Sequence, residues 1–326
     1  MSGGGANGAW EAGIFWGLNK YGTPGSFDYD VVSGVSAGSI NTLALAGWAP
    51  EDGMAAAEYI SMTMQTLTNS DVWKEWPLGL VEGATIKPGL LNDAPLLQFL
   101  RDQLAGFPEG FKRRVVASAV DVETGEYTSF TSDDTTFYDF ADAAVSSASI
   151  PFVFPPHQWK RGVFMDGGTV WNVNIDSAIQ ECLKVVDSQD KITVDVVICS
   201  HPPTPDSRWS LNKDAIADYM YARNIHSFYS DSDNLAEEKK AYPEVNFRYL
   251  FQQREAQLSG TKELEFNNAT TWPLQENGRQ VAQETLAAGE GAIFKLLDEY
   301  TESTNLKKQH GHWINYLTSK LPSFLQ

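Results

Sequence analysis

Basic residues are scarce in this sequence: 24 Lys and Arg stand against 42 Asp and Glu, a formal net charge of −18. Binding a nucleic-acid backbone needs Lys and Arg in excess, so nucleic acid is excluded as a partner class, and long-range attraction to anionic membranes is opposed by the same imbalance. Cysteine is almost absent. Cys182 and Cys199 are the two in 326 residues, too few for a disulfide framework and not spaced as metal ligands, so both read as buried free thiols. The five histidines are His157, His201, His226, His310 and His312. Of these, His310-Gly311-His312 alone has a metal-like spacing, in a polar tail, and no metal or cofactor is expected.

Long apolar runs are missing as well. The uncharged stretch "VVSGVSAGSINTLALAGWAP" carries three Gly, three Ser and an Asn, which fits a buried strand, turn and helix better than a membrane span. There is no charged-then-apolar targeting segment, internal repeat or low-complexity tract, so the sequence does not point to a compartment. The lone sequon Asn268-Ala269-Thr270 matters only in a secreted chain.

What is present is ample core material, 42% hydrophobic and 12% aromatic residues, enough for one large folded unit. Trp10, Ile14 and Leu18 fall four apart and predict a helix to about Lys20. "SFDYDVV" reads as a strand, followed by a tight turn and an Ala/Leu-rich helix to about Ala46. Asn92 or Asp93 is expected to cap a helix carrying Leu96, Leu100 and Leu104 on one face. "RRVVASAVDV" and "GEYTSF" predict a hairpin, "GVFMDGG" a strand ending at a carboxylate, and "KITVDVVICS" a buried strand. Farther on come a polar helix, a strand in "NFRYLF" and a helix from roughly Arg279 to Tyr300. Alternating strands and helices predict an α/β fold, a mostly parallel central sheet sandwiched by helices. Residues 1–200 are expected to form the core, and 201–326 a mainly helical region adding about one strand. The chain opens directly on a glycine loop, where an α/β protein would already have laid down a strand, so the first core strand is expected to be missing.

Three motifs carry chemistry. "SGGGANG" satisfies G-x-G-x-x-G through Gly3, Gly5 and Gly8, a spacing that offers bare backbone N–H groups at a helix N-terminus to an anion. A dinucleotide pyrophosphate and a transition-state oxyanion fit it equally well. "Gly34-Val35-Ser36-Ala37-Gly38" is G-x-S-x-G between a strand and a helix, the context of a nucleophile elbow, whose glycines permit a turn too sharp for a neighbouring Cβ. Serine needs a base. The elbow arrives after at most one strand, which disfavours the order of an α/β-hydrolase triad. Asp166, at the end of "VFMD" and followed by Gly167 and Gly168, is the better candidate, although Asp before Gly is also an ordinary turn or cap.

Taken in order, the glycine loop, G-V-S-A-G and D-G-G, with "SSASIPFVFPP" before the acid, resemble the patatin-like phospholipases over residues 1 to about 200. The resemblance implies a lipid acyl hydrolase with a Ser–Asp dyad. Ser36 would be the nucleophile, Asp166 the general base, and the N–H groups of Gly3, Gly4 and Gly5 the oxyanion hole, with Ala37 N–H as a further donor. Gly8, Gly34, Gly38, Gly167 and Gly168 would support the motifs. The family often has Asp before the glycine run and Arg within it; here Ser2 and Asn7 stand there, which leaves neutral lipids and simple esters open. The partner implied is a lipid or other membrane-derived ester, with transient contact at a membrane or micelle surface. Trp73, Trp76 and the terminal "HWINYLTSKLPSFLQ" (Trp313, Leu317, Leu321, Phe324) are candidates for that contact or for packing on the sheet. Two other readings stand beside this one. The first is a catalytically idle lipid-binding or storage protein of the same fold. The second is a nucleotide-binding oxidoreductase with Asp28 or Asp30 at the ribose, which leaves G-V-S-A-G and D-G-G unexplained.

Overall fold

The computed structural model describes residues 1–298 apart from 161, 202–214, 255, 259 and 297. The expected apolar stripe builds α1 (Gly8–Tyr21) with Trp10, Ile14 and Leu18 all buried, and a loop leads to β1 (Val31–Val35) and α2 (Ala37–Ala46). Four helices follow: α3 (Gly53–Thr66), the short α4 (Asn69–Val72) and α5 (Gly79–Thr85), and α6 (Ala94–Ala105) with Leu96, Leu100 and Leu104 buried. Next come β2 (Arg114–Asp121), β3 (Tyr127–Thr131), α7 (Phe140–Ala148), β4 (His157–Trp159) and β5 (Gly162–Asp166). Then come α8 (Ile175–Leu183), β6 (Thr193–Ile198), α9 (Ala215–Ala241), β7 (Asn246–Gln252) and α10 (Asn268–Ala288).

The fold is α/β, but the expectation of a mostly parallel sheet is corrected. In the five-stranded sheet β1 is parallel to β2, whereas β3 and β5 both run antiparallel to β2, and β4 antiparallel to β5. The source of the error is local. "VFMD" is the strand expected to end at a carboxylate, but it is the second arm of the β4–β5 hairpin, in which Trp159 opposes Gly162, and so enters the sheet antiparallel to β2. The residues between them begin with Lys160 at φ 52, without the Gly or Asn that normally announces such a turn. The helix expected from roughly Arg279 to Tyr300 also differs: α10 starts 11 residues earlier than Arg279, capped by the Asn267 side chain, and ends at Ala288, where Gly289 follows.

Register explains why the sheet matters for the site. Along Val116–Val120, β3 takes one edge of β2. The other edge is shared end to end: β1 pairs with it up to Val35 opposite Ser118, and β5 approaches from the other direction and stops with Asp166 opposite Ala119. Two strands of opposite direction therefore terminate against each other, one residue apart on β2. Ser36 must leave the sheet at once, and Asp166 arrives where it leaves.

A second, parallel pair, β6–β7, is joined to this sheet through the chain's first residues. The Met1 amino group donates to Ser33 O at 2.8 Å, Val35 N–H to Met1 O, and Ser2 N–H to Val197 O. Met1 and Ser2 thus sit between β1 and β6, the position expected of a strand entering the glycine loop. Beneath them a cavity lined by Val31, Val32, Val194 and Val196 separates the two strands. Helices α1, α2, α3, α6, α7 and α10 cover the main core.

Candidate active site

Ser36 is the first residue past β1 and is held at φ 52, ψ −119, a region costly for any residue with a Cβ, on the order of 1–3 kcal/mol. The neighbouring sequence fixes it there. Its N–H donates to Ser147 Oγ at 2.9 Å, Ser147 Oγ donates to Ser118 O at 2.6 Å, and Ser39 Oγ donates to the Ser36 carbonyl at 2.6 Å. Gly34 is required: a Cβ there would lie 2.0 Å from the Gly38 carbonyl oxygen. Ser147, in the "SSAS" segment of α7, is a supporting residue that motif spacing alone did not reveal.

Asp166 is completely buried. Its N–H donates to Ser149 O, one carboxylate oxygen accepts Gly168 N–H at 2.7 Å, and the other accepts from the Arg223 guanidinium at 3.2 Å. Gly167 lets the turn lie against Ser118 O and Val35. Among the described residues the Ser36 hydroxyl makes no hydrogen bond to Asp166, so the carboxylate is oriented by its other partners and keeps acceptor capacity for a proton. Catalytic hydrogen bonds commonly tighten only when substrate is in place.

The glycine loop runs directly over the serine: a Cβ at Gly3 would stand 2.8 Å from Ser36 Cβ. Gly38 N–H donates to Ser2 O, and Gly8 abuts Ala37, so loop and elbow are locked together. Gly3 is paired with Asn172. Its N–H is taken by Asn172, through both the main-chain and side-chain oxygens, while Asn172 Nδ2 returns a hydrogen bond to Gly3 O. The N–H groups of Gly4, Gly5 and Ala37 make no hydrogen bond among the described residues. Asn172 is the second residue that sequence reasoning missed. Its only signal is an Asn four residues beyond Asp-Gly-Gly.

Gly5 (φ 56) fits because a Cβ would sit 2.5 Å from Glu263 O. Glu263 is itself buried, and burial raises its pKa to about 8, with Arg223 and a Gly260 backbone hydrogen bond offsetting part of the effect. A carboxyl whose folded pKa exceeds its unfolded value stabilises fully below the unfolded value, and loses that contribution as pH climbs toward 8. Glu263→Gln is therefore expected to melt with the wild type at pH 5 but above it at pH 9, by on the order of 4 kcal/mol in unfolding free energy. Denaturant titrations at the two pH values check this, and an equal shift at both would contradict it.

An apolar pocket opens beside the loop and elbow. Gly5, Gly8 and Ala37 form one wall, and Leu43, Ile60, Met64 and Leu100 line its interior; among its lining side chains, only Thr63 and Gln103 are polar. Three of the five histidines lie among the described residues. His157 pairs with Asp142 at 3.0 Å, His201 lies 2.7 Å from Asn224, and His226 is exposed on α9. Cys199 is buried and Cys182 half-buried, both free, and burial raises both thiol pKa values. Trp73 and Trp76 are tied into the fold, their indoles donating to Leu264 O at 2.9 Å and Gly89 O at 3.0 Å. His310, His312 and the terminal Trp313–Phe324 stretch lie outside the described residues. No described helix is long and apolar enough to cross a membrane.

Fold and site together define an α/β protein organised around a G-x-S-x-G elbow, a glycine loop and a buried Asp-Gly-Gly carboxylate. The family model described as Patatin-like phospholipase matches residues 1–179, more than half of the sequence, and the chain belongs to the patatin-like phospholipase family. Members of that family are lipid hydrolases acting on ester bonds. Among solved structures, the crystal structure of VipD from Legionella pneumophila is similar at 14% identity, covering 98% of this chain and 78% of that one with a TM-score of 0.36. That likeness is too low for anything to be carried over. A search of curated proteins finds no match.

Proposed function

We propose that the chain is a lipid acyl hydrolase that works through a Ser36–Asp166 dyad and an acyl-enzyme. The observation that carries this reading is the junction on β2, where the strained Ser36 and the buried Asp166 end two converging strands beneath a loop of backbone donors. Ser36 Oγ attacks the ester carbonyl while Asp166 takes its proton. The tetrahedral oxyanion is received by the N–H groups of Gly4 and Gly5, with Ala37 N–H at the start of α2 as a third donor, each worth roughly 3–4 kcal/mol in comparable sites. Asp166 then returns the proton to the departing alcohol. Water, deprotonated by the same carboxylate, attacks the acyl-Ser36 carbonyl, and as the C–O bond to Ser36 breaks Asp166 returns the proton to Ser36 Oγ and the fatty acid is released.

The apolar pocket beside Gly5, Gly8 and Ala37 is suited to the acyl chain, since each buried methylene is worth about 0.8 kcal/mol. A zwitterionic lipid surface suits the outside of the molecule. Leu78, Val81 and Ile86, at either end and within α5, are each about 70% exposed, while the acidic net charge opposes anionic lipid. One assay tests both features: fatty-acid release from phosphatidylcholine micelles against hydrolysis of a soluble short-chain ester. Ala44→Phe, which fills the pocket, is expected to cut the long-chain reaction about tenfold and spare the short one. Replacing Leu78, Val81 and Ile86 with Ser is expected to impair the micellar reaction alone. Equal losses on both substrates would overturn these assignments.

A further inference from the structure

Helix α9 lies outside the residues matched by the family model, yet it reaches both halves of the site. Arg223, with its side chain 11% exposed, donates to the fully buried Asp166 carboxylate. It is held close to the Asp-Gly-Gly turn, its nearer nitrogen 3.3 Å from where a Cβ on Gly168 would be. Two turns along the same helix, the buried Asp231 accepts from Ser200 Oγ at 2.6 Å and from Asn172 Nδ2 at 3.3 Å. The amide of Asn172 also grips Gly3 on both its N–H and its carbonyl. One helix therefore touches the carboxylate directly and the glycine loop through one intermediary.

We propose that α9 supplies positioning residues for the reaction: Arg223 orients the Asp166 carboxylate toward Ser36, and Asp231, through Asn172, holds the glycine loop over it. The inference rests on the dyad reading above. Arg223 also stands near Asp231 and Glu263, so it is the cation that a group of three buried carboxyls shares, and removing it leaves Asp166 without its charged partner. A carboxylate with one of its two anchors gone turns about the other, and small misplacements of a reacting group cost on the order of 10²-fold in rate. Asp231 keeps one carboxylate oxygen without a hydrogen-bond partner, and burial raises its pKa to about 7.

The test uses the full chain and a soluble short-chain ester. Arg223→Gln is expected to lower kcat about 10²-fold with KM within about twofold. Arg223→Lys is expected to recover much of kcat, because it restores a cation near the carboxylate, and guanidinium chloride at millimolar concentration is expected to reactivate Arg223→Ala while leaving the wild type unchanged. A packing role for Arg223 would give neither rescue. Asp231→Ala is expected to lower kcat about tenfold, again without raising KM. Unchanged kcat in Arg223→Gln, or a loss that neither Lys nor guanidinium repairs, overturns the proposal while the wild type still turns over. If the wild type itself shows no serine-dependent turnover, it is the dyad reading that falls.

Discussion

Substituting Ser36 by Ala is expected to reduce ester turnover at least about 10⁴-fold, and Asp166→Asn to fall into the same range. The two losses should not multiply. In a unit where the serine cannot act without its base, the double variant is expected to match the weaker single one, leaving the residual rate given by the glycine loop and substrate binding. Stability separates this outcome from misfolding. Ala at position 36 keeps the Cβ and the backbone strain of the elbow, and the N–H bond to Ser147 Oγ and the carbonyl bond from Ser39 Oγ do not involve the lost hydroxyl. Thermal melts of Ser36→Ala should therefore overlay the wild type while initial rates collapse. A Ser36→Ala variant with more than a tenth of wild-type turnover contradicts the assignment.

Gly34→Ala is expected to produce the largest loss of stability for a single added methyl group. The new Cβ meets Gly38 O at 2.0 Å, Gly38 C at 2.2 Å and Ser39 N at 2.5 Å. All three are backbone atoms at the start of α2, and no rotamer change can move them. Relief requires α2 to shift away from β1, which would also disturb Ser39 Oγ on the Ser36 carbonyl and Gly38 N–H on Ser2 O. Overpacking against rigid surroundings costs about 3 kcal/mol or more, which for a chain of this length lowers Tm by about 4 °C or more. Differential scanning fluorimetry measures it directly. A melting temperature within about 2 °C of wild type would mean that the elbow is not the tight turn described.

Much of this was legible in the sequence because it is local. The four-residue spacing of Trp10, Ile14 and Leu18 gave α1, the strand expected in "SFDYDVV" overlaps β1 only at Val31 and Val32, the residues before them being loop, and the order of glycine loop, G-V-S-A-G and D-G-G named both ends of the junction. Strand direction was not legible. Apolar residues in "VFMD" are equally consistent with a parallel strand and with the second arm of a hairpin, and the turn at Lys160 carries no composition that distinguishes them. Pro273 and the polar sequence around it likewise hid the first half of α10. In the site, the residues that could be found were those inside motifs. Asn172, Ser147, Arg223 and Asp231 reach the surroundings of Ser36 and Asp166 only through tertiary packing, Arg223 from 57 residues beyond Asp166, and an arginine in a polar helix has no sequence feature that sets it apart from a surface cation.

The central claim, that Ser36 is a nucleophile activated by Asp166, is tested most directly by treating the folded protein with a fluorophosphonate and mapping the adduct by peptide mass spectrometry. The prediction is a single adduct on Ser36 in the wild type, none in Ser36→Ala, and a much slower reaction in Asp166→Asn. A folded wild type that takes no adduct, or a Ser36→Ala variant that is labelled as readily as the wild type, would contradict it.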